Sequence, residues 1–76
     1  MIREHERAVL TTDLPGYGFQ AGDVGTIVHV YANGRAYEIE FVSLDGETSL
    51  VVTVEASQVR AVGKHEFTHA RQLTPT

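Results

Sequence analysis

A chain of 76 residues suffices for one compact domain and no second one, because so short a protein already buries a smaller share of its surface than a longer one. Its apolar fraction of 42% and charged fraction of 21% are those of a folded protein, and the absence of cysteine excludes a disulfide scaffold, a thiolate nucleophile and any cysteine-ligated zinc or iron–sulfur centre. Ten acidic residues against six basic ones give a formal net charge of −4, which repels polyanions, and Arg3, Arg7, Arg35, Arg60, Lys64 and Arg71 are scattered, so no phosphate-tracking surface is expected.

The opening Met1 to Arg7 carries no apolar stretch of signal-peptide character, and no apolar run approaches the roughly 20 residues that cross a bilayer. A cytoplasmic location is expected, with His5 in a frayed terminus. Glu6 to Thr12 reads as a short strand centred on Arg7-Ala8-Val9-Leu10, with Val9 inward and Leu10 closing one end of the core. Asp13-Leu14-Pro15-Gly16-Tyr17-Gly18 breaks regular structure, since proline fixes φ and glycine admits conformations closed to other residues. Asp23 ends this loop and is suited to accept a hydrogen bond from a nearby backbone N–H. Val24 to Tyr31 follows as a strand whose apolar positions lose their period of two, the mark of a bulge or kink, and Gly25 leaves room for the bend. Asn33-Gly34 predicts a type I′ hairpin turn.

From Ala36 to Phe41 the alternation is clean, with Tyr37, Ile39 and Phe41 on one face and Glu38 and Glu40 on the other. Asp45-Gly46 predicts a second tight reversal. Thr48 to Val54 returns with Leu50, Val52 and Val54 inward and Ser49, Val51 and Thr53 outward. Glu55 to Gln58 fits a single 3₁₀ turn, and Val59 to Val62 a last strand. The expectation is an all-β fold, a small five-stranded SH3-like antiparallel barrel with a short 3₁₀ turn before the last strand, over residues 1–62. Residues 63–76 are polar and read as a tail or a short helix.

Ala21-Gly22-Asp23-Val24-Gly25-Thr26-Ile27-Val28, followed by Tyr37-Glu38-Ile39-Glu40-Phe41, Asp45-Gly46 and Glu55-Ala56-Ser57-Gln58-Val59-Arg60, resembles the DUF4926 family, small bacterial proteins carrying a domain of unknown function. The resemblance runs from about Ala8 to Val62 and implies a fold without implying an activity. The Gly-Asp-Val-Gly-Thr-Ile stretch is also similar to KOW and other SH3-like small barrels, which contact RNA or proteins. The acidic strand through Glu38 and Glu40 weakens the nucleic-acid side of that likeness.

His65-Glu66-Phe67-Thr68-His69 matches the His-Glu-x-x-His pattern, which on a helix sets two imidazoles one turn apart for zinc with a glutamate as general base. A third protein ligand is lacking in the seven residues that follow, so His65 and His69 are weak metal candidates and chance is the simpler reading. His29 reads as an edge-facing strand residue. No cofactor is expected and no catalytic residue is assigned.

Leu14, Tyr17 and Phe19 place apolar and aromatic groups in a surface loop, and Val51 adds an apolar outward residue to a sheet edge. These four are the candidate binding residues, although capping the open end of the barrel is the simpler role for Leu14 and Phe19. The expected function is therefore that of a noncatalytic interaction module, binding a protein partner or self-associating, with a homodimer adding the core area a short chain lacks. Two alternatives are a KOW-like nucleic-acid module and a metal-dependent hydrolase built on His65, Glu66 and His69.

Overall fold

Alternation with a period of two commits the middle of the chain to a pleated sheet, and the computed structural model, which describes residues 1–73, forms one. Its strands are β1 (Arg7–Leu10), β2 (Val24–Tyr31), β3 (Ala36–Val42), β4 (Ser49–Glu55) and β5 (Val59–Ala61), with 3₁₀ turns at Pro15–Tyr17 and Ala56–Gln58. Every pairing is antiparallel, in the order β4-β3-β2-β1-β5. The expected five strands and the turn before the last of them are present. The first loop adds a 3₁₀ turn of its own, opened by Pro15 with its preset φ and closed by Gly18 at φ 78°.

β2 is the shared strand: Val24–Thr26 pairs with β1, and Thr26–Tyr31 pairs with β3. The register shifts between Ile27 and His29, which puts the extra residue at Val28 and explains why the apolar positions change parity there. A Cβ on Gly25 would lie 2.6 Å from the Ile39 side chain and 2.8 Å from the Glu40 carbonyl oxygen, so only glycine lets β3 approach this closely. Ala8 and Leu10 of β1, Ile27 of β2, Tyr37, Ile39 and Phe41 of β3, Val52 and Val54 of β4, and Val59 of β5 share one buried cluster. Because β4 and β5 stand at opposite ends of the strand order yet touch the same core, the sheet curls upon itself. No ladder joins those two strands, so the barrel is left open between them rather than closed.

Several local expectations are corrected. Val9 is buried but not inward: it pairs with Val24 and Arg60 on the outer face, while its neighbours Ala8 and Leu10 enter the core. The N-terminus is tied down, with Ile2 in the core, the His5 N–H donating to the Ile27 carbonyl at 2.6 Å, and the Ile2 N–H donating to the Tyr37 hydroxyl at 3.3 Å. In the first hairpin the two central residues with positive φ are Ala32 and Asn33, one place earlier than Asn33-Gly34, and Gly34 follows at φ 91° while its N–H bonds the Tyr31 carbonyl. Residues 63–73 form neither helix nor strand.

Candidate functional site

β4 ends the sheet on one side, and the polarity of its backbone can be read from both ends of its ladder. The Ser43 N–H donates to the Thr48 carbonyl at 2.8 Å, and the Ala56 N–H donates to the Arg35 carbonyl at 3.0 Å. Antiparallel pairs alternate between bonded and non-bonded, so these two contacts fix Leu50, Val52 and Val54 as the residues bonded to Phe41, Ile39 and Tyr37. The backbone groups of Ser49, Val51, Thr53 and Glu55 point away from β3. Of these, the Glu55 N–H is taken by the Gln58 side chain at 2.7 Å. The N–H and C=O of Ser49, Val51 and Thr53 point outward along the edge, and among the described residues nothing bonds them.

Edge strands are ordinarily guarded by charge, proline, bulges or brevity. β4 has a charge only at its last residue, Glu55, and otherwise none of these: it is seven residues long, Ser-Leu-Val-Val-Thr-Val before that glutamate, and its register with β3 is unbroken. Val51 is 46% exposed and Leu50 41% exposed, although Leu50 belongs to the inner face, and Val42 and Leu44 add exposed apolar surface at the same hairpin. The hairpin itself is firmly built. The Ser43 hydroxyl donates to Asp45 at 2.6 Å and the Glu47 N–H donates to it at 3.0 Å, and these two bonds hold the Asp45 carboxyl below its ordinary range.

The opposite edge is guarded. β5 is only three residues long and carries Arg60, which the C-terminal segment engages. Arg60 forms a two-pronged pair with Glu66, at 2.8 and 2.6 Å, and the Gly63 N–H also donates to that carboxylate. The Arg60 bonds and the Gly63 N–H bring the Glu66 carboxyl down to about 2. Farther on, the Arg71 guanidinium bonds both oxygens of Asp23 and the Gly18 carbonyl. Burial pushes the Asp23 carboxyl up, but the Arg71 hydrogen bond, the Gln20 N–H and the Arg71 charge outweigh it and leave it lowered. Asp23 does accept from the Gln20 N–H at 2.8 Å as the turn chemistry implied, and its clamp with Arg71 is an addition that no local pattern signals. Between these two ion pairs Glu66, Phe67 and Thr68 border an open pocket on the outer face whose other walls include Val9 and Val24, and Phe67 is left 91% exposed.

The sequence-derived candidates divide. Leu14 and Phe19 pack against the core, bridged by the Leu14 N–H donating to the Phe19 carbonyl at 2.8 Å, and the Phe19 ring stacks on Phe41 with centroids 4.1 Å apart. Phe41 faces Leu50 across the ladder, so the first loop meets the β3–β4 hairpin end of the core. Tyr17, 50% exposed, and Val51 remain on the surface. His65 has φ 63° and its segment is not helical, so His65 and His69 are not set one turn apart, and Glu66 is occupied by Arg60. Among the described residues, no three His, Asp or Glu side chains converge as metal ligands would. On the outer face of the sheet His29 meets Tyr31 edge-on at 4.4 Å, and Thr53 donates to Glu38 at 2.9 Å. Desolvation and the Glu38 carboxylate raise the Tyr31 hydroxyl pKa. Among the described residues no helix is long and apolar enough to cross a membrane.

The family model described as "Domain of unknown function (DUF4926)" matches residues 4–61. No curated protein and no solved structure matches the chain.

Proposed function

From the premise that the chain belongs to the DUF4926 family, whose description carries no activity, we propose that it is a noncatalytic interaction module that takes an extended stretch of polypeptide onto the free edge of β4. The observation that carries this reading is the unguarded edge itself: Ser49, Val51 and Thr53 present donors and acceptors in a row, bordered by exposed Leu50, Val42 and Leu44. Main-chain bonds supply affinity in this mode, and alternate side chains supply selectivity. Tyr17 lies in the loop that packs on the same end of the core, and is the aromatic contact this reading adds to Val51. A polyanionic partner is disfavoured by the net charge of −4 and by Glu38, Glu40 and Glu55, which share the outer face with Val51.

The test is capture from native cells on immobilised wild-type protein and on Val51→Lys, a substitution at an exposed position that guards the edge. A partner retained by the wild type and lost from the variant, with both melting at the same temperature, is the expected result. Equal retention by both would contradict the proposal.

A further inference from the structure

The edge of β4 is self-complementary, and we infer that its occupant is a second copy of the same strand, paired antiparallel about a two-fold axis through Val51. This rests on the reading of β4 as the recognition edge. Among the described residues nothing takes the outward N–H or C=O of Ser49, Val51 or Thr53, and the three are symmetric about Val51. A two-fold axis there sets Val51 against Val51 of the second copy and Ser49 against its Thr53. Every outward donor of the three then meets an acceptor and none is orphaned. An axis moved to Val52 would set Ser49 against Glu55 of the second copy, whose N–H is already bonded to Gln58, and would leave the Ser49 carbonyl without a donor.

The side chains favour the same register. On the inner face Leu50 falls opposite Val52 of the second copy, which covers a core-facing side chain that is 41% exposed in the single chain. On the outer face the two Val51 side chains meet. The cost lies at the ends, where Glu47 faces Glu55 of the second copy and, with a net charge of −4 on each chain, opposes association. Added salt screens that repulsion, so the pairing strengthens as ionic strength rises, the reverse of an assembly held by ion pairs.

Analytical ultracentrifugation over a concentration series, at low and high salt, tests this on the full chain. The expected result is a monomer–dimer equilibrium that shifts toward dimer with salt and is weakened at least about tenfold by Val51→Lys at an unchanged melting temperature. Register is read separately: because the chain has no cysteine, Val51→Cys places a single thiol on the axis, and a short bismaleimide should link it into dimers far more efficiently than Ser49→Cys. A chain that stays monomeric throughout, or equal linking by both variants, would overturn the inference. Monomeric wild type combined with Val51-dependent capture of a different protein would overturn only the second copy as occupant, and would leave the edge-recognition proposal standing.

Discussion

Arg71 reaches back across 48 positions of sequence to Asp23, donating from Nε at 2.9 Å to one carboxylate oxygen and from Nη2 to the other, while Nη2 also bonds the Gly18 carbonyl at 3.1 Å. One guanidinium thus ties the C-terminal segment, the first loop and the entry to β2 together. Both partners are largely sheltered, so this is the ion pair in the molecule with most to lose. Arg71→Met is expected to lower stability by about 1 kcal/mol and to release the segment, read as a lower melting temperature together with faster proteolysis after Lys64.

The second tie responds to acid. The Glu66 carboxyl lies at about 2 in the folded chain against its ordinary 4.5, so the folded state binds its proton less readily than the unfolded one. Its contribution is complete above the ordinary value and is lost as pH falls from there through about 2. The pair lies at the surface, so the consequence is local: the Gly63 amide is expected to lose its carboxylate partner over that interval, seen as a pH-dependent NMR shift of the Gly63 N–H. Glu66→Gln should abolish that titration.

Gly25 marks where the strands come closest. Gly25→Ala must displace Ile39 or the Glu40 carbonyl, and overpacking of that kind is expected to cost about 1–3 kcal/mol in a urea titration, with the slope unchanged. Gly22→Ala offers a contrast, since no atom lies within 4 Å of its Cβ position and only its φ of 96° opposes the change.

Phe19 is the residue through which the first loop is fastened to the core. Phe19→Ala removes the ring stacked on Phe41 and is expected to cost about 2 kcal/mol, somewhat less than a wholly buried aromatic because the side chain is only partly covered. Tyr17→Ala, at an exposed position, should leave the melting temperature within a degree or so.

Most of the architecture was legible because it is written in short-range patterns. Tyr37, Ile39 and Phe41 alternate with glutamates, and that alone places one face in the core. The exceptions are places where a distant residue decides. Val9 satisfies an inward pattern, but Ala8 and Leu10 take the core and Val9 lies on the outer face between Val24 and Arg60. Ile2 lies outside any strand and is buried through its contact with Tyr37. The Asn33-Gly34 signal located the hairpin and missed its phase by one residue, since Ala32 takes a positive φ as well as Asn33 and Gly34, and the turn begins one place earlier. Val51 was legible as outward by parity, yet the bareness of its strand was not, because whether a strand ends a sheet depends on the topology of all five. The ion pairs Arg60–Glu66 and Arg71–Asp23 have no signature beyond opposite charge.

Per-residue amide hydrogen exchange on β4 tests the edge most directly. In dilute protein the N–H groups of Ser49, Val51 and Thr53 should exchange freely while those of Leu50, Val52 and Val54 are held by β3. When the protein is concentrated, or its partner is bound, the first three should become protected together. Protection that arises elsewhere while Ser49, Val51 and Thr53 stay open would contradict β4 as the recognition edge.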